Sequence, residues 1–155
     1  MKVKVIDRTG ISGILNVLLL ILLIAGVLIY ATIPFWLQGY LHWRRVTDPD
    51  YYRSMLILLY SAGIPALFIL LQAKRLVNNV NTKKAFVQEN ARYLFWIGVS
   101  SALIALLFLL FIPNIFSVFS VVIVIIFILL SLIALILSEL FKIATRYKEE
   151  NELTI

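Results

Sequence analysis

Cysteine is absent from this 155-residue chain, and histidine occurs once, as His42. The first absence excludes disulfides, a thiol nucleophile and thiolate metal sites, and the second excludes a multi-histidine centre. No metal and no organic cofactor is expected. Charge is scarce as well. Asp, Glu, Lys and Arg make up 14% of the residues and gather in clusters, leaving Ile11 to Ile33, Ser54 to Gln72 and Tyr93 to Ser138 with no charged side chain at all. Nucleophilic catalysis needs a base or acid beside the attacking group. Ser61 and Ser131 have none at their depth, so the chain is not expected to be an enzyme. A transport pathway normally carries ionisable groups inside the membrane. The uncharged runs offer only Asn16, Ser61, Gln72, Asn114 and a few serines, so a transporter or channel subunit, which would have to build its pore by oligomerising, is the alternative rather than the leading reading.

What is present is apolar. Hydrophobic residues make up 63% of the chain and the mean hydropathy is +1.02, whereas a soluble domain is nearer half apolar. The chain reads as a single integral membrane domain. Its net charge of +6 and pI of about 9.7 would in a soluble protein point to nucleic acid. Here the basic residues flank the apolar runs, where topology and anionic headgroups account for them. Direct nucleic-acid binding is not expected, and the lipid bilayer is the first partner.

The runs predict an all-α fold of four transmembrane helices in two antiparallel hairpins. Ile11 to Ile33 is longer than a signal-peptide core of roughly 7–15 residues and is expected as a retained first span. An outer loop from Pro34 to Tyr52 follows, with Asp48-Pro49-Asp50 starting the second span, about 54–72. Gly63 and Pro65 predict a kink there, tolerated because neighbours can satisfy the freed carbonyl. Tyr93 to Ser138 as one helix would measure roughly 69 Å, about twice a bilayer core of ~30 Å, so it folds back. Pro113-Asn114 is the best turn signal, with Ser117 and Ser120 as alternatives, and gives spans of about 93–112 and 115–138. Between the hairpins lies a polar connector, 74–92, in which Asn78, Asn79 and Asn81 stop one helix and Asn81 or Thr82 caps the next, helical from Lys83 onward. Glu89 and Arg92 are spaced to pair on its surface. The tail, 139–155, keeps helical spacing through Leu140, Phe141, Ala144 and Tyr147, so the fourth helix is expected to run past the membrane towards the connector.

Basic residues accumulate on the cytoplasmic side of short loops. Lys2, Lys4 and Arg8, then Lys74, Arg75, Lys83, Lys84 and Arg92, then Lys142, Arg146 and Lys148 lie on one side, eleven against Arg44, Arg45 and Arg53 on the other. Both termini and the connector are therefore expected inside. The first loop combines Phe35, Trp36, Tyr40, Trp43, Tyr51 and Tyr52 with Arg44 and Arg45. This is the composition of an interfacial aromatic belt, and in its sharper reading Trp36, Trp43, Arg44 and Arg45 form an outer contact for a peptide or a lipid phosphate. His42 sits among them as an interfacial side chain. Gln88-Glu89-Asn90 and Glu149-Glu150-Asn151 each follow an even-numbered span, with Phe86 matching Tyr147. A parallel duplication and chance similarity both account for the match.

Phe86-Val87-Gln88-Glu89-Asn90-Ala91-Arg92, followed by Leu94, Ile97 and Gly98, resembles the signature of small bacterial four-span membrane proteins grouped as domain of unknown function 2975. The ending from Tyr147 to Ile155 is similar to that family's carboxyl end. Ala85 stands where members often have proline, and Phe95 where a second basic residue is common. The resemblance implies no established activity and, as a partner, a small helix-turn-helix regulator. The expected function is thus a non-enzymatic accessory protein of the bacterial inner membrane, whose connector and tail bind or sequester such a partner through Phe86, Glu89, Asn90, Arg92, Tyr147, Glu149, Glu150 and Asn151. Immunity to a membrane-active peptide, through the aromatic outer loop, is a further alternative.

Overall fold

The computed structural model describes residues 11–82, 87–115 and 117–153, all-helical apart from short turns. Four helices follow in order: α1 (Ile11–Trp43), α2 (Pro49–Asn81), α3 (Gln88–Phe111) and α4 (Val118–Leu153). Each contains a segment long and apolar enough to cross a membrane. Three are longer than a span requires. The 33 residues of α1 and of α2 and the 36 of α4 reach roughly 50 Å or more, against a hydrocarbon core of ~30 Å.

For α1 that excess length corrects the expected start of the first loop. Pro34 does not end α1, which continues through it to Trp43. A proline inside a helix frees one carbonyl, and membrane helices absorb this loss where side-chain hydroxyls and neighbouring helices help. The carbonyl freed here is that of Tyr30; the nearby Thr32 hydroxyl donates instead to Leu28 O at 2.8 Å and accepts from Trp36 Nε1 at 3.1 Å. The loop itself is short. Arg45 N–H donates to His42 O at 3.1 Å and Val46 N–H to Leu41 O at 3.0 Å, the paired bonds of a Schellman ending. Arg45 takes the left-handed position at φ 56°, where glycine is usual. Asp48 then caps α2, its carboxylate accepting from Asp50 N at 3.0 Å, with Pro49 in the first turn.

α2 passes unbroken through Pro65 and ends at Asn81, nine residues beyond Gln72. Thr82 closes this helix instead of opening the next. Its hydroxyl donates back to Asn78 O and Asn79 O at 3.2 and 3.1 Å. α3 begins at Gln88 behind an extended Val87 that offers no side-chain cap, and the expected start at Lys83 lies outside the described residues. At the far end Pro113 and Asn114 make the turn: Asn114 N and Ile115 N both donate to Phe111 O, at 3.0 and 2.9 Å. Ser117 Oγ accepts from Phe119 N at 3.3 Å as α4 starts.

The helices pack in sequence. Among the described residues α1 touches α2, α2 touches α3 and α3 touches α4, while α1 meets neither α3 nor α4. Lipid is as apolar as leucine, so close packing and polar contacts, rather than burial of oily surface, hold membrane helices together. The α3–α4 seam is built accordingly. Ala91, Leu94, Gly98, Ser101 and Ala105 on α3 recur at spacings of three and four, and Val124, Ser131, Ala134 and Ser138 face them from α4, all buried. Ser138 Oγ crosses the seam to donate to Ala91 O at 2.7 Å. α1 is the most loosely held helix, joined to α2 by an edge-on contact of Tyr30 with Tyr60, ring centroids 5.1 Å apart, and a bond from Tyr30 OH to Tyr60 O at 3.3 Å.

Candidate functional site

Two regions collect the polar and aromatic residues that the apolar spans leave over. One is the connector end of the molecule. There the end of α2, the start of α3 and the far half of α4 are tied to one another. Asn79 Nδ2 donates to Asn90 Oδ1 at 2.9 Å and approaches Glu89 Oε2 at 3.5 Å. Lys142 Nζ stands 5.9 Å from the Phe95 ring centroid across the α3–α4 seam and pairs with Glu139 at 2.6 Å. Arg146 pairs with Glu150 at 3.1 Å one turn on. These α4 pairs are exposed, so each contributes at most a few tenths of a kcal/mol. They lie on the part of α4 beyond Ser138, where the apolar run ends.

The candidate residues at this end divide by exposure. Asn90 has no accessible surface, and the Asn79 bond joins α2 to α3, so it acts inside the fold. Glu89 does not pair with Arg92, turning instead to Asn79. Glu89, Arg92, Tyr147, Glu149, Glu150 and Asn151 are all exposed. Phe86 lies outside the described residues. The buried Asn90 and the exposed Asn151, equivalent positions if the two halves are a duplication, thus occupy unlike surroundings. Replacing Asn90 by alanine leaves Asn79 Nδ2 without this acceptor. We expect a loss of about 1–2 kcal/mol, within the range of interhelical hydrogen bonds in membranes, read as a shift in resistance to denaturing detergent. Asn79→Ala combined with it should cost little more.

The second region is the α1–α2 loop end. Phe35, Trp36 and Trp43 are 70–77% exposed on the last turns of α1, and with Gly39 and Tyr40 they form a shallow aromatic shelf. Arg44 and Arg45 follow directly, both exposed and neither in an ion pair among the described residues. The shelf opens into a larger apolar groove of about 560 Å³ to which all four helices contribute. Tyr30, Leu37 and Tyr40 of α1 form one wall, Met55 and Leu67 of α2 part of the floor, and Ile104 of α3 with Phe127 of α4 the other side. Sequence reasoning found the shelf residues but not this groove. Tyr30, Leu37, Leu67 and Phe127 read as ordinary span residues, and only the packing order of the helices brings them together. Neither region offers a cluster of His, Asp or Glu able to hold a metal among the described residues.

The model of the family described as a protein of unknown function, DUF2975, matches residues 15–155. That is nearly the whole chain, and the chain belongs to this family. No curated protein and no solved structure gives a significant match.

Proposed function

We propose that this DUF2975 member is a non-enzymatic accessory protein of the bacterial inner membrane. Its four spans pair as two antiparallel hairpins, with both termini and the connector in the cytoplasm. Its connector end binds or sequesters a cytoplasmic protein, for which a small helix-turn-helix regulator is the leading candidate. The sidedness is supported by the imbalance of Lys and Arg between the two ends. The observation that carries the binding role is the course of α4. It stays helical from Glu139 to Leu153, after its apolar run has ended, beside an α2–α3 junction held by Asn79 and Asn90. A regular helix fixed next to a braced junction presents Arg92, Tyr147, Glu149 and Glu150 in a constant arrangement, which suits recognition of a folded partner without large ordering costs.

A photo-crosslinking residue placed at Tyr147 in living cells tests the reading. A discrete adduct with a soluble protein is expected, weakened at least about tenfold by joint alanine replacement of Arg92, Glu149 and Glu150, a loss equivalent to about 1.4 kcal/mol. No adduct, or one indifferent to those replacements, would overturn it. The natural lack of cysteine makes the sidedness separately testable. A single cysteine at Lys148 should resist, and one at Arg44 should react with, a membrane-impermeant maleimide in intact cells.

A further inference from the structure

The groove beside α1 has a length, a polarity and one charged end, and together these select an occupant. Its wall on α1 runs from Gly26 to Tyr40 and its floor on α2 from Met55 to Leu70. Fourteen or fifteen residues of helix correspond to roughly 21–23 Å, somewhat more than one leaflet of a ~30 Å hydrocarbon core. The groove starts at the loop end of the spans and is long enough to hold an acyl chain of one leaflet. Its lining is almost wholly apolar side chain, with the Tyr30 hydroxyl engaged by Tyr60 O.

The groove offers about 560 Å³, about a third of what a helix ~10 Å across with its side chains fills over that length, so a helix or a second copy of the chain would seat only one face there. A single extended hydrocarbon chain matches its length and its apolar lining. The chemistry at the open end supplies the other half of the ligand. Trp36 and Tyr40 line the mouth, and Arg44 follows Tyr40 by one turn, its N–H bonded to Tyr40 O at 2.9 Å. Arg44 and Arg45 are exposed and pair with no carboxylate among the described residues, so both guanidinium groups are open to a phosphate, which arginine binds through two parallel donors.

We propose that this groove is a binding site for one anionic phospholipid, an acyl chain lying between α1 and α4 over α2 and α3 and the phosphate meeting Arg44 and Arg45. The site is independent of the partner-binding role at the opposite end. Because α1 rests on α2 alone among the described residues, the lipid also gives α1 a second neighbour and ties it indirectly to α3 and α4.

The test uses the full chain with Trp43→Phe and Trp96→Phe, so that Trp36 at the groove mouth is the only indole. It is placed in phosphatidylcholine vesicles in which a minor fraction of lipid carries brominated acyl chains on either a phosphatidylglycerol or a phosphatidylcholine headgroup. Quenching of Trp36 by the brominated anionic lipid should reflect a local enrichment of about five-fold over its mole fraction, the factor one basic side chain near an anionic surface contributes. Arg44→Gln with Arg45→Gln should remove the headgroup preference, and these surface replacements leave the helices intact. Ala66→Phe, which fills the floor, should lower quenching by both lipids. Equal quenching by the two headgroups in the parent protein would overturn the proposal. So would preference unaltered by the arginine replacements, which would place the charge selection elsewhere. Poor quenching by either lipid, with a dimeric mass on sedimentation, would assign the groove to a second copy instead.

Discussion

Leucine at position 98 is expected to separate α3 from α4. A Cβ built on Gly98 would stand 2.7 Å from Leu135 Cγ, 2.9 Å from Leu135 Cδ2 and 3.2 Å from the carbonyl oxygen of Ser131. The leucine branch can turn away at some cost, but the carbonyl belongs to the α4 backbone and moves only with the helix. Alanine at this position should therefore cost about 1–3 kcal/mol, the range of overpacked sites. Leucine, with three further carbons on the same vector, should leave the pair unable to close. A water-exposed protein would partly recover through burial of the added side chain. Here bilayer lipid solvates leucine as well as α4 does, so nothing offsets the lost approach. The measurement is unfolding in graded denaturing detergent, with protease sensitivity of the turn at Pro113 and Asn114 as a second readout. Leu135→Ala should restore Gly98→Ala in part, since it removes two of the three close atoms. Gly39→Ala is the control. Nothing lies within 4 Å of its Cβ, so it should be neutral or stabilising by up to about 1 kcal/mol through helix propensity. Wild-type stability in Gly98→Leu would show that the small-residue seam does not hold the two helices.

The spans were legible in the sequence because a formal charge is costly in lipid, so a long run without one marks a segment that lipid can accept. Helix ends were unevenly legible: the asparagine run marked the end of α2 and the spacing of the tail the overrun of α4, but the end of α1 was missed. Hydropathy reports where a helix leaves lipid, whereas α1, α2 and α4 all stay helical afterwards, through Trp43, Asn81 and Leu153. Pro34 looked like a terminator because the rule for proline comes from helices in water. Within the membrane-adjacent turn the alternatives to a helix are worse, and the chain continues. Glu89 and Asn90 show a finer limit. Side by side in the sequence, they read as one polar patch, yet Asn90 is sealed against α2 and Glu89 is exposed. Helical register does contain that signal: Asn90, Ile97 and Ile104 recur at seven-residue intervals and all three are buried. The groove had no such signature. Its walls are four separate spans, and its existence follows from α1 meeting α2 but neither α3 nor α4, a property of packing order that no local pattern encodes.

Valine at position 63 should detach α1 while leaving the other three helices packed. The Cβ it introduces would fall 2.5 and 2.6 Å from Cδ2 and Cε2 of Tyr30, inside the ring edge on which the α1–α2 contact depends. A tyrosine ring cannot yield by bending, and its hydroxyl is held by Tyr60 O, so the helices themselves must part. Since the backbone of α1 closely approaches only that of α2 among the described residues, the separation is local and α3–α4 remains closed. The chain has no native cysteine, so an introduced pair at Gly26 and Leu67, where the built Gly26 Cβ meets Leu67 Cδ2 at 2.9 Å, reports the contact cleanly. Its oxidative crosslinking should fall about tenfold in Gly63→Val, equivalent to about 1.4 kcal/mol. Tyr30→Ala should recover most of it, because the obstructing ring is gone even though its hydrogen bond is lost too. Unchanged crosslinking in Gly63→Val would mean α1 is held by something other than this contact. The same variant separates the two proposals for the molecule. Tyr30 and Gly63 both line the apolar groove, so detaching α1 should abolish the preference of Trp36 for anionic lipid, while adducts formed from Tyr147 at the opposite end persist.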